Sequence, residues 1–421
     1  MDKFVIDGGK PLKGEVSVSG SKNAALPILC ASILADGLCT FRNIPKLVDI
    51  STIVEVLSIL GIETRRPEVG TIVLDPAGIS SYEAPYDLVK SMRASILVLG
   101  PLLAKFGRAK VSLPGGCAIG IRPVDLHLKA LVKMGAQIEL SHGYIVAFCD
   151  GLKGARIVFD NPTVGGTENI MMAATLAEGL TLIEGAAREP EIVDLAETLN
   201  KMGARIQGAG QSTITIEGVK TLSGSDHAVI PDRIEAGTLM VAAAITKGEL
   251  TLKGVRPDHL AAVVDKLTTM GVIVKELDHE TMLVEGAVDL RPVEVSTAPF
   301  PGFPTDMQAQ IMALASVAKG VSSITENIFE NRFMHVPELS RMGANLEEKG
   351  KTVIVRGVRQ FQGASVMATD LRASASLVLA ALNARGLTEV RRIYHLDRGY
   401  AALDKKLSTV GAHLERKRGG L

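Results

Sequence analysis

Residues 113–127 read Leu-Pro-Gly-Gly-Cys-Ala-Ile-Gly-Ile-Arg-Pro-Val-Asp-Leu-His, so that one cysteine, Cys117, lies among three glycines and ahead of Arg122. The thiolate is the reactive form of cysteine, and a nearby cation lowers the thiol pKa from about 8.5. Glycine lets backbone approach a ligand closely. Two readings follow from these residues: a loop that carries a reactive thiol over an anionic substrate, or a tight turn around an inert cysteine. What surrounds the loop has to separate them.

A second set of polar residues opens apolar runs. Gly20-Ser21-Lys22-Asn23, Ser91-Met92-Arg93, Thr163-Val164-Gly165-Gly166-Thr167, Pro231-Asp232-Arg233, Phe303-Pro304-Thr305-Asp306 and Thr369-Asp370-Leu371-Arg372 each precede one. Ser, Thr and Asp are ordinary N-caps at such places. Lys22, Arg93, Arg233 and Arg372 are not, because a cation at a helix N-terminus opposes the macrodipole. Their recurrence points to an anionic ligand, gripped by charge-assisted hydrogen bonds. If the helices of each domain run parallel, Lys22, Arg93, Arg122, Arg332, Arg372 and Arg398 gather about Asp306. A carboxylate in such surroundings is suited to take a proton or hold a hydroxyl. Gly20-Ser21-Lys22 mimics the end of a phosphate loop. It lacks that loop's glycine spacing and its following hydroxyl residue, which excludes an NTPase.

The elements that must position these residues recur. An apolar run, a glycine, a short strand, a connector and an amphipathic helix closed by Gly61, Gly135, Gly203, Gly271, Gly343 or Gly411 appear six times, about 70 residues apart. Helices apolar on every side are buried on every side, so six of them belong inside, with sheets and amphipathic helices around them. The expected fold is α/β: two inside-out domains of three repeats each, one spanning 23–230 and the other 1–22 plus 231–421, with the halves meeting around 223–226. Phe4 to Ser19 reads as a strand pair around a Gly8-Gly9 turn that joins the C-terminal half. Arg416-Lys417-Arg418 reads as a frayed, solvated end.

Composition excludes several classes. Lys plus Arg and Asp plus Glu stand at 46 each, tryptophan is absent and aromatics are 4%, which argues against a nucleic-acid binder. Cys30, Cys39 and Cys149 read as core fillers, and no spacing suits a metal site. No leader pattern and no apolar run near the ~20 residues of a membrane span is present. A reduced, cytoplasmic protein is expected.

Ser19-Gly-Ser-Lys22-Asn23-Ala-Ala, Leu113-Pro-Gly-Gly-Cys117-Ala-Ile-Gly, Arg122-Pro-Val-Asp-Leu-His127, Ala187-Arg-Glu-Pro-Glu191, Phe303-Pro-Thr-Asp306-Met-Gln-Ala-Gln and Glu330-Asn-Arg332-Phe resemble the UDP-N-acetylglucosamine 1-carboxyvinyltransferases of the enolpyruvyl transferase family. The resemblance covers essentially the whole chain. It implies two inside-out α/β barrel domains, phosphoenolpyruvate and UDP-N-acetylglucosamine as substrates, no metal or organic cofactor, and the first committed step of peptidoglycan synthesis. Cys117 is then the general acid, also able to attack C2 of phosphoenolpyruvate, and the target of the epoxide antibiotic fosfomycin. Asp306 takes the hydroxyl proton. Lys22, Asn23, Arg122 and Arg398 hold phosphoenolpyruvate. Asn23, Arg93, Arg122, Pro123, Val124, Asp125, Leu126, Thr163, Val164, Gly165, Asp306 and Ile328 fall on the sugar nucleotide. Arg332, Asp370, Arg372 and Arg233 join the same cleft without assigned roles. One departure stands out: Asn161 occupies a place where many relatives carry lysine. The weighed alternatives are a shikimate-type enolpyruvyl transferase, disfavoured by the cysteine loop and Asn23, and a silent sugar-nucleotide-binding paralogue.

Overall fold

A helix with apolar residues all round has no face to offer water. In the computed structural model, which describes residues 2–89, 92–113 and 124–418, six such helices form cores. They span Lys22–Ala31, Leu99–Phe106, Val164–Ala174, Arg233–Ile245, Gln308–Ala315 and Leu371–Asn383. Every residue from Ile234 to Ile245 and from Gln308 to Ala315 is buried. Short 3-10 turns, Arg93–Val98 and Thr305–Met307, lead into the second and fifth.

Six four-stranded sheets cover these helices. Each has one parallel pair at an edge followed by antiparallel pairs, as in Arg156–Val158 beside Leu180–Glu184, then Thr213–Glu217, then Arg205–Gln207. Side chains alternate along the strands, so that Ile214 and Ile216 enter the core while Thr213 and Glu217 face water. An amphipathic helix follows in each repeat. The glycines that end them, Gly61, Gly135, Gly203, Gly271, Gly343 and Gly411, all take positive φ, as left-handed C-caps require. Gly218 and Gly357 serve another end: a Cβ on either would lie 1.6 Å from a carbonyl oxygen, of Ala177 and of Ala318, just past a core helix.

The chain divides into two compact units. The first holds residues 20–230 and the second holds 2–19 and 231–418, as far as these are described. The seam falls at Ser19–Gly20, three residues before the expected one, because the first core helix and its Ser21 cap belong with 20–230. Among the described residues, each unit has three core helices and three sheets.

Three expectations need correction. Lys3–Asp7 and Lys13–Ser17 are not a hairpin. The first lies antiparallel between Leu387–Arg391 and His413–Lys417; the second runs parallel to Glu249–Lys253 in another sheet. The Gly8-Gly9 corner carries the chain from sheet to sheet. Arg416 is not frayed. It lies in the strand His413–Lys417, forks onto Asp397 at 2.6 and 2.9 Å, reaches Asp404 at 3.2 Å and stacks over Phe4. Cys149 is only half-buried, whereas Cys30 and Cys39 are buried and their thiols are pushed up chiefly by burial.

Candidate active site

In the second unit the N-terminal ends of the fifth and sixth core helices bring three predicted residues together. The carboxylate of Asp306 accepts from Arg332 Nη2 at 2.7 Å and from Arg372 Nη2 at 2.8 Å, one guanidinium on each oxygen. Both arginine side chains are nearly enclosed, at 6% and 5% exposure, while Asp306 keeps 26%. Burial alone would push the carboxyl up, but Arg372 and then Arg332 outweigh it and hold Asp306 well below the usual carboxylate range. Burial likewise opposes the charge of Arg372, and Asp306, Tyr400 and Asp232 more than offset it. The result is an ionised carboxylate with one side open, clamped by fixed cations.

A buried acid supports the clamp. Glu326 is 2% exposed. Its carboxylate accepts from Thr297 Oγ1 at 2.9 Å, Thr305 Oγ1 at 2.8 Å and the Ile328 amide at 2.8 Å. Arg332 Nη1 in turn donates to Thr305 Oγ1 at 3.0 Å. Ile328, Thr305, Arg332 and Asp306 are therefore fixed to one group that the sequence did not single out. Asp370 acts as the N-cap of the sixth core helix, accepting from the Arg372 and Ala373 amides. Nearby His335 is buried; that burial, reinforced by Arg332 and opposed by Asp370, pushes it down to about 4, so it is a neutral imidazole at pH 7. Arg398 ends the 3-10 turn Ile393–Arg398, which Arg416 fastens through Asp397. Arg233 follows the cap Asp232 and lies over the ring of Phe300.

Among the described residues, the other predicted ones lie in the first unit. Lys22 begins the first core helix behind its cap Ser21 and lies 3.4 Å from the buried carboxylate of Asp49, with side-chain exposures of 13% and 5%. Asp49 sits in the first turn of the amphipathic helix Val48–Leu60, where the apolar pattern hid it. Asn23 is half-buried one residue on. Thr163 caps the third core helix, accepting from the Gly166 amide at 3.2 Å, with Val164 and Gly165 in its first turn. Val124, Asp125 and Leu126 open the helix Asp125–Lys133. Asn169 ties this region: its Nδ2 donates to His127 Nδ1 at 3.1 Å and to the Ile96 carbonyl, and its Oδ1 accepts from the Gly100 amide at 2.7 Å. Cys117, Arg122 and Pro123, and the side chain of Arg93, lie outside the described residues.

Among the described residues no helix is long and apolar enough to cross a membrane, and no group of three or more His, Cys, Asp and Glu is placed to hold a metal ion.

A family model described as EPSP synthase (3-phosphoshikimate 1-carboxyvinyltransferase) matches residues 6–407. The UDP-N-acetylglucosamine 1-carboxyvinyltransferase of Nitratidesulfovibrio vulgaris strain DP4 is 59% identical over 99% of this chain and 100% of its own. That of Myxococcus xanthus strain DK1622 is 56% identical over 99% and 100%. Among solved structures, the enolpyruvyl transferase NikO from Streptomyces tendae superposes with a TM-score of 0.90 at 26% identity, covering 100% of this chain and 99% of that one. EPSP synthase from Acinetobacter baumannii, at 20% identity over 99% and 100%, shares the fold with a TM-score of 0.78.

Proposed function

This chain belongs to the 1-carboxyvinyltransferase (enolpyruvyl transferase) family, and on that premise we propose that it transfers the enolpyruvyl group of phosphoenolpyruvate to the 3-hydroxyl of UDP-N-acetylglucosamine. The observation that carries this reading is the 59% identity over the whole of a relative of that name. Such a product serves peptidoglycan synthesis, and through it cell shape and division. Its nucleotide and phosphoenolpyruvate substrates place the work in the cytoplasm.

In this reading the sugar hydroxyl adds to C2 of phosphoenolpyruvate while C3 gains a proton. The tetrahedral ketal then loses a proton from C3 and expels inorganic phosphate. Cys117 supplies the proton to C3 and is the thiol that fosfomycin alkylates. Asp306 takes the hydroxyl proton. A carboxylate held so far below its usual range is a weak base, but the hydroxyl grows acidic as C2 becomes oxocarbenium-like, so a fixed, ionised acceptor suffices. Lys22, Arg122 and Arg398 hold the phosphate and carboxylate of phosphoenolpyruvate. Lys22 is held by Asp49 beforehand, which keeps the ammonium pointed while its ligand is away. Asn23, Arg93, Pro123, Val124, Asp125, Leu126, Thr163, Val164, Gly165 and Ile328 bear on the sugar nucleotide. Arg332 and Arg372 fix Asp306.

The test is phosphate release from phosphoenolpyruvate with UDP-N-acetylglucosamine, run beside shikimate 3-phosphate as acceptor. Release with the sugar nucleotide alone is expected. No release, or release only with shikimate 3-phosphate, would overturn the reading. Cys117→Ala is expected to abolish release, and an unchanged rate would remove Cys117 from its role as acid.

A further inference from the structure

The residue two positions after Arg398 is Tyr400, which is 1% exposed although its phenol is polar. Its hydroxyl lies 3.0 Å from Thr238 Oγ1 and accepts from Gln310 Nε2 at 3.2 Å. Gln310 Nε2 also lies 2.9 Å from the backbone carbonyl of Asp306 and 3.2 Å from Thr238 Oγ1. Thr238 commits its own proton to the Ile234 carbonyl at 2.7 Å, so Tyr400 donates to Thr238 while Gln310 donates to Tyr400 and to Asp306. Thr238, Gln310 and Arg372 come from the fourth, fifth and sixth core helices. The Arg372 guanidinium lies over the Tyr400 ring, 5.5 Å from its centre.

We propose that Tyr400, held by Thr238 and Gln310, is a positioning residue for the transfer: it sets Arg372 and, through Arg372 and the Gln310 bond to the Asp306 backbone, sets the carboxylate that meets the sugar hydroxyl. The inference rests on the role of Asp306 proposed above. Three polar groups packed among otherwise apolar helices are costly as mere packing, since apolar residues of similar shape would fill the space as well. Here Gln310 donates to the backbone carbonyl of Asp306, and Tyr400 follows Arg398 by two residues and packs against Arg372. The Arg372 Nη1 atom is buried and lacks a hydrogen-bond partner among the described residues. The hydroxyl and ring of Tyr400 lie beside that guanidinium and help fix its plane. Burial pushes the Tyr400 phenol up, so it works as a neutral hydrogen-bonding group.

The experiment compares Tyr400→Phe, Tyr400→Leu and Gln310→Met with wild type by phosphate release across pH, alongside thermal melts. Tyr400→Phe keeps the ring under Arg372 and removes the hydroxyl; Tyr400→Leu removes both. Misplacing a reacting group by about 1 Å costs up to about 100-fold. The expected order is a loss of kcat of about 10-fold for Tyr400→Phe and Gln310→Met and up to about 100-fold for Tyr400→Leu, with KM changed less than about 3-fold. An Arg372 freed from its place pulls less on Asp306, so the acidic limb of the rate profile moves to higher pH in the variants. If Tyr400→Leu does not fold, Tyr400→Phe and Gln310→Met carry the test. Folded variants with wild-type kcat and an unmoved acidic limb overturn the inference, whatever their melting temperature. A wild type that releases no phosphate overturns the transfer reading and this inference with it; an active wild type with unaffected variants overturns this inference alone.

Discussion

Asp306 shows how a residue can be made reliable rather than strong. Two guanidiniums hold it ionised and in place, and its pull on a proton is left to the moment when the hydroxyl becomes acidic. Asp306→Asn keeps the shape and removes the charge. It is expected to lower kcat by about 100-fold or more, the usual worth of an acid–base group. Because the folded carboxyl lies below its unfolded value near 3.9, its charge contributes stability that is present above that value and lost as pH falls through the folded one. Wild type and Asp306→Asn should therefore differ in Tm by a constant amount from pH 5 to 8, with the gap closing only in stronger acid. A gap that closed between pH 5 and 7 would contradict the clamp. Of this site, Asp306, Arg332 and Arg372 were legible because charged residues stood out beside apolar runs. Asp49, Glu326, Thr238, Gln310 and Tyr400 were not. None of them is a charge at the opening of an apolar run, and the side chains they meet come from other segments of the chain.

The elements were easier to read than their partners. Unbroken apolar runs betrayed the buried helices, and Ser21, Thr163, Asp232 and Asp370 cap them as helix starts should. Strand pairing escaped because Lys3–Asp7 and Lys13–Ser17 satisfy the local pattern of a hairpin while their hydrogen bonds go to strands hundreds of residues away. Arg416 looked solvated for the same reason, since Asp397 and Asp404 become its partners only through folding. The third core helix carries a further cost. Glu168 is 4% exposed, and burial, followed by Glu191 and Glu189, pushes its carboxyl well up. A folded acid whose value is raised binds a proton that the unfolded chain has released, so stability falls as pH rises above about 4.3. Glu168→Gln, close in shape to the protonated acid, should melt higher than wild type at pH 8 and level with it near pH 4.5. A Tm difference independent of pH would show that Glu168 is charged in the folded state.

At the scale of the molecule the repeat is a rule about space as well as sequence. Gly218 in one unit and Gly357 in the other press against the carbonyl just beyond a core helix. A methyl group there meets backbone, which cannot swing aside. Gly218→Ala and Gly357→Ala should each cost about 1–3 kcal/mol in denaturant unfolding, and a neutral result at either would mean that the helix end yields.

The two units also differ in when they can be completed. As far as they are described, residues 20–230 belong to one unit, so a growing chain can form its sheets and core helices while later segments are still being made. The other unit cannot follow that order. Lys3–Asp7, made long before its partners, has its places beside Leu387–Arg391 and His413–Lys417, and Lys13–Ser17 waits for Glu249–Lys253. Phe4 and Ile6, both fully buried in the folded unit, stay uncovered by these strands until some 380 residues more have been added.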